Sequence, residues 1–178
     1  MKKLVLTGAA GRLGSYLREP LTKMCDELVS TDWIEDIGPL YEGETYIKAD
    51  LGTLDQMEKV LDGADMVAHF GAIGDEAAWD AILHSNIIGA YNVWEAAARR
   101  GVRRVIYASS IHAVGMYPKT QKIDTEVPHR PDTYYGLAKC FAEDLGSLYW
   151  EKKNIESVHL RILSAAQVNS PRSLGTWL

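Results

Sequence analysis

Six short apolar bursts separated by stretches of helical periodicity constrain this chain more than any other feature. They are Leu4-Val5-Leu6, Leu28-Val29, Tyr46-Ile47, Met66-Val67-Ala68, Val105-Ile106-Tyr107 and Val158-His159-Leu160. Continuous apolar runs of this length suit strands buried on both faces, and strands joined by helices must run parallel. The expected fold is therefore α/β, a doubly wound sheet of six parallel strands with helices on both faces. The 3.6-residue period places helices at about 12–24, 54–61, 76–100 and 135–152. The stretch 117–131 holds Pro118, Pro128 and Pro131 and reads as a long loop.

Composition matters mainly for what it excludes. Nineteen basic and 24 acidic side chains leave a net charge of −5, and the longest basic runs are the pairs Arg99-Arg100 and Arg103-Arg104. Neither nucleic acid nor a membrane is expected as a partner. No apolar run approaches the roughly 20 residues of a bilayer span, and Met1-Lys2-Lys3 leads into a strand, so a cytoplasmic location is expected. Cys25 and Cys140 read as two ordinary buried thiols. The five histidines lack ligand spacing, so no metal is expected.

Directly after the first burst comes Thr7-Gly8-Ala9-Ala10-Gly11-Arg12-Leu13-Gly14, opening a helix. Glycines at 8, 11 and 14 let the backbone turn sharply and approach a pyrophosphate, with free helix N–H groups facing the anion. Asp32 lies 18 residues beyond Gly14 at the end of the second strand, where a carboxylate can accept both adenosine ribose hydroxyls. Its charge repels a 2′-phosphate and Trp33 and Ile34 bring no positive charge, so NAD is favoured over NADP; Arg12 keeps the alternative open. Asp50-Leu51 and Gly71-Ala72-Ile73 follow the third and fourth strands at the same ligand-binding edge. Asp50 can equally cap the helix starting near Thr53. The pattern defines a Rossmann-type domain over residues 1–163, with 164–178 as the start of a substrate-binding segment whose covering part is expected to be cut short.

Tyr135 and Lys139 are four apart at the start of a helix and share a face. A free phenol, with a pKa of about 10, is too weak a base at neutral pH, but a nearby ammonium and a nicotinamide ring favour the phenolate. Ser110, after the fifth strand, is placed to hold the substrate oxygen whose proton Tyr135 takes. Asn86 falls on the face of Ile82, Gly89 and Val93 and reads as a buried amide that satisfies backbone near the cofactor. Apolar stripes Leu137-Phe141-Leu145-Leu148 and Leu83-Ile87-Trp94 suggest a homo-oligomer packed through these helices.

Together the glycine turn, Asp32, Asp50-Leu51, Asn86, Ser110 and Tyr135-x-x-x-Lys139 resemble an extended short-chain dehydrogenase/reductase of the NAD-dependent epimerase/dehydratase type and, within that superfamily, the uronate dehydrogenases. The finer resemblance is carried by Asn86-Ile87-Ile88-Gly89-x-Tyr91-Asn92, Ala108-Ser109-Ser110-x-His112, Tyr117-Pro118, Arg130-Pro131-Asp132, Tyr135-Gly136-x-x-Lys139-Cys140-Phe141 and Thr176-Trp177. It implies NAD-dependent oxidation of the anomeric hydroxyl of a hexuronate or related sugar to the lactone. Tyr135 would be the base, with Lys139 as its partner and Ser110 as the catalytic hydroxyl. Leu13, Ser109, Tyr135, Lys139 and Ile162 join the cofactor contacts, and Gly74, Ser110, Ile111, His112, Tyr135, Ser164 and Arg172 are the substrate contacts, with Arg172 suited to a uronate carboxylate. The chain departs from the family pattern at Ile111 (Asn in the family), near Gly74 (Ser) and at Leu163 (Gly). Each substrate hydroxyl left unpaired at such a position costs about 1–3 kcal/mol. A nucleotide-sugar epimerase or dehydratase and a catalytically silent dinucleotide-binding protein remain the alternatives.

Overall fold

The computed structural model describes residues 1–165. Six strands, β1 (Lys3–Thr7), β2 (Glu27–Asp32), β3 (Glu44–Lys48), β4 (Met66–His69), β5 (Arg104–Ser110) and β6 (Glu156–Ile162), form one sheet in the order β3-β2-β1-β4-β5-β6. Every neighbouring pair is parallel. The order reverses between β1 and β4, so a crevice opens at their carboxyl ends, where open α/β sheets bind ligands.

Two cores follow from the two-residue period of β1. Val5 points to the larger one, packed under α2 (Leu54–Val60), α4 (Gly89–Arg100) and α5 (Tyr134–Lys153) around Met57, Val93, Trp94 and Tyr149. Leu4 and Leu6 point the other way, against Leu17 and Leu21 of α1 (Arg12–Thr22). Helices thus cover both faces, as expected. No helix of the described residues is long and apolar enough to cross a membrane.

Two features of the helical reading need correction. The stretch expected as one helix from residue 76 begins instead with α3 (Trp79–Ile82), passes through a π-helical turn (Leu83–Ile88) and only then becomes α4. Glu76 is drawn away to α5, where its carboxylate accepts the backbone N–H groups of Tyr134 and Tyr135 at 3.3 and 2.9 Å. The stripe Leu83-Ile87-Trp94 is not one free face. Trp94 is fully buried and its Nε1 donates to Ser157 Oγ at 3.1 Å, while Ile88 and Tyr91 are the exposed residues. On α5, Leu137 and Leu148 are exposed and Leu145 is buried. Of the thiols, Cys140 is buried and Cys25 only half-buried.

The loop 117–131 contains no strand or helix and has its base stitched closed. Met116 N–H donates to Arg130 O at 3.0 Å and Arg130 N–H to Ala113 O at 2.9 Å. His129 fastens it to α5 through Glu143 at 2.9 Å.

Candidate active site

The turn between β1 and α1 explains its own glycines. Gly8 sits at φ 72°, and a Cβ there would lie 2.6 Å from Gly71 N. A Cβ on Gly14 would lie 1.9 Å from Gly8 O, so α1 can pack on the turn only without one. No side-chain cap closes α1 at Gly11, which leaves the first-turn amides of Arg12 and Leu13 for an anion. Asp32 is held from two sides: Ala10 N–H donates to Oδ2 at 2.9 Å and Trp33 N–H to Oδ1 at 2.8 Å.

A cleft of about 770 Å³ opens here, lined by Gly8, Gly11, Asp32, Asp50, Leu51, Gly71, Ala72 and Ile73, all expected at the cofactor. Trp33, Ile34 and His84 also line it and were not anticipated. Trp33 and Ile34 could have been read from their place just after Asp32. His84 carried no signal, because it meets Asp50 across 34 residues, at 3.2 Å. Asp50 is not the cap of α2. Its Oδ1 accepts Gly52 N–H at 2.8 Å, and Thr53 occupies the cap position without a side-chain bond.

Beneath Gly71 lies a buried histidine. Thr7 Oγ1 accepts Gly71 N–H at 3.0 Å and is hydrogen-bonded to His69 Nδ1 at 2.8 Å, with the donor set by the histidine's tautomer. Burial, with the nearby Lys139 charge, lowers the His69 pKa to about 3, so the ring stays neutral and ties β1 to β4 under the cleft.

The second group of expected residues gathers at the ends of β5 and α5. The Tyr135 phenol, largely buried, lies close enough to Ser110, which ends β5, for that hydroxyl to favour its ionised form. Tyr135 packs with Ile82 and Ala138 against Ile73, and Ile73 also lines the cleft. Cleft and phenol therefore share a wall. Asn86 does what was expected of it: buried, it accepts Ile73 N–H at 2.9 Å and donates to Ile73 O at 3.0 Å. Ser109 turns its hydroxyl to Glu143 instead of the cleft. Ile162 pairs in register with Ser110, Ile111 opens a short 3₁₀ turn after β5, Gly74 lies in open space, and Ser164 is exposed. Arg172 lies outside the described residues.

Lys139 is buried beside Tyr135. Its Nζ donates to Ala108 O at 2.7 Å and lies 5.2 Å from the Tyr135 ring centre. Burial lowers its pKa to about 7, against a smaller opposing pull from Glu143. Burial also raises the Tyr135 pKa, outweighing the Ser110 hydroxyl. In the chain alone Tyr135 is thus a protonated phenol at neutral pH.

Four residues on, Glu143 forms a buried hub that sequence reasoning missed. Arg161 grips it at 2.8 to 3.2 Å, and His129 and Ser109 complete its partners. Burial pushes the carboxyl up, but the Arg161, Ser109 and His129 hydrogen bonds win and lower its pKa to about 2. Because the folded value lies below the usual 4.5, this stabilisation is complete above that pH and is lost as pH falls toward 2. Glu143→Gln should cost about 3 kcal/mol at neutral pH by stranding Arg161. It should also flatten the loss of thermal stability between pH 4.5 and 2, and melting curves across that window check both.

A six-stranded parallel sheet with a glycine turn and a fixed carboxylate at its switch point defines a dinucleotide-binding α/β protein. The chain belongs to the NAD dependent epimerase/dehydratase family, whose profile matches residues 4–169. A uronate dehydrogenase of Pseudomonas putida is 41% identical over 181 residues, covering 99% of this chain; the chain spans 66% of that relative's length. The crystal structure of uronate dehydrogenase from Agrobacterium tumefaciens has a TM-score of 0.91 at 39% identity, covering 98% of this chain and 65% of that one. A mutant of the same enzyme complexed with NAD has a TM-score of 0.85 at 39% identity, covering 88% and 59%.

Proposed function

We propose that this protein binds NAD and oxidises the anomeric hydroxyl of a hexuronate or related sugar to the lactone. One arrangement carries the reading: the phenol beside Ser110 shares Ile73 with the glycine-lined cleft. The cleft suits a dinucleotide. Gly8 and Gly14 leave no Cβ in the way, the α1 amides await the pyrophosphate, and Asp32 offers its carboxylate to the adenosine ribose, favouring NAD over NADP. The relatives named as uronate dehydrogenases, and the neighbour complexed with NAD, point the same way.

In this mechanism bound NAD supplies a hydride acceptor. Ser110 holds the substrate hydroxyl, and Tyr135 takes its proton as the hydride leaves the same carbon, so a carbonyl remains. Since burial holds the phenol protonated, Tyr135 needs positive charge beside it, from protonated Lys139 and the oxidised cofactor together. His112, Ser164 and Arg172 would hold the sugar, Arg172 at its carboxylate. Ile111, Gly74 and Leu163 supply fewer hydrogen bonds there, which favours a sugar with fewer polar groups to satisfy. The exposed Ile88 and Tyr91 on one helical stretch and Leu137 and Leu148 on α5 support a homo-oligomer packed through these faces.

Incubation with hexuronates and NAD should build up NADH absorbance together with the lactone. Isomerised sugar without net NADH would replace this reading with an epimerase. Neither product, together with no heat of NADH binding, would leave a protein without the proposed cofactor.

A further inference from the structure

Next to Tyr135 a set of hydrogen bonds around an ionised Asp132 and a neutral His112 admits only one arrangement of protons. Thr133 Oγ1 accepts Gly136 N–H at 2.8 Å at the start of α5, so its single hydrogen is directed to Asp132 Oδ1, 3.2 Å away. The same oxygen lies 2.8 Å from His112 Nδ1. An ionised carboxylate only accepts, so a neutral His112 must carry its proton on Nδ1. Nε2 is then a bare acceptor, and it has no hydrogen-bond partner among the described residues.

The surroundings are built for this pair. A Cβ on Gly115 would lie 2.1 Å from Asp132 Oδ2, and one on Gly136 would lie 2.3 Å from His112 O. Both glycines give up a side chain so that the carboxylate, the imidazole and α5 can meet. His112 also donates its backbone N–H to Ser110 Oγ at 3.2 Å, and its ring stands edge-on to Tyr135, with centres 5.7 Å apart. The ring's side chain is 39% exposed, which leaves it within a ligand's reach.

We infer that Asp132 is a positioning residue that locks His112 as the Nδ1–H tautomer, so that Nε2 accepts a hydrogen bond from a substrate hydroxyl beside the one that reacts. This selects polyhydroxylated substrates, since a single alcohol has no second O–H to give. The inference rests on the proposed dehydrogenase reading for its substrate half, but its tautomer half stands on the geometry alone.

The test is Asp132→Asn and His112→Gln, singly and together. Asp132→Asn should raise KM for the hexuronate about tenfold with a smaller change in kcat and no change in NADH affinity. In the His112→Gln background it should add no more than about twofold, because its target is gone. Independently, nitrogen-15 NMR of the wild-type chain at about pH 9, where ordinary imidazoles are neutral, should find the His112 proton on Nδ1, and Asp132→Asn should move part of it to Nε2. A wild-type proton on Nε2, or an undiminished Asp132→Asn effect in the double variant, overturns the inference. A wild-type chain that turns over no hexuronate while keeping Nδ1–H overturns the functional reading and its substrate half, and supports the tautomer lock.

Discussion

Tyr135→Phe is expected to cut hexuronate turnover about a thousandfold, within the range that removal of a positioned general base produces, while NADH affinity stays the same. The substitution removes one oxygen from a side chain only 9% exposed and keeps the ring that packs on Ile82 and Ala138. Ser110 still accepts His112 N–H, so no buried backbone group is stranded. Loss of rate without loss of fold or cofactor therefore isolates the proton transfer. The wild-type pH profile should agree: with the phenol raised by burial, any rise of kcat/KM on the alkaline side that comes from Tyr135 giving up its proton should vanish in Tyr135→Phe. Steady-state rates and NADH fluorescence titration check this, and a variant retaining a tenth of the rate would remove Tyr135 from the mechanism.

The residues behind that prediction were legible because each is marked locally. A Tyr and a Lys four apart share a helix face wherever the helix lies, and a glycine turn after an apolar run needs no partner to be recognised. Bonds that cross between elements left no such mark. Glu76 reaching Tyr135 over 59 residues, Arg161 reaching Glu143 over 18 and His84 reaching Asp50 over 34 depend on how helices seat on the sheet. Trp94 shows a different failure. Spacing of 11 residues from Leu83 puts the two on one face of a straight α-helix, but Trp94 packs fully buried in the larger core while Leu83, in the π-helical turn, is only half-buried. Asn86 was placed correctly because its buried neighbours Ile82, Gly89 and Val93 surround it closely in sequence. Burial depths were not legible either: desolvation raises the Tyr135 pKa and lowers that of Lys139, and a sequence does not print it.

Gly14→Ala should be the most damaging one-carbon change in the cofactor half, lowering stability by about 3 kcal/mol or more and weakening NADH about a hundredfold. The added methyl would stand 1.9 Å from Gly8 O and 2.9 Å from the Ala9 Cα, both backbone, so no flexible side chain can move aside. Relief must come from α1 backing away from the turn. That movement carries the first-turn amides off the pyrophosphate position and loosens the Ala10 N–H that holds Asp32, so the phosphate and ribose contacts fail together. Gly74→Ala is the matched control, with nothing within 4 Å of its added carbon, and should leave stability and NADH binding unchanged. Thermal melts and NADH titration of the two variants separate a general cost of losing glycine from the specific crowding at Gly14. If Gly14→Ala bound NADH like the wild type, the β1–α1 turn would not be the dinucleotide's cradle, and Tyr135 would have no hydride acceptor to work beside.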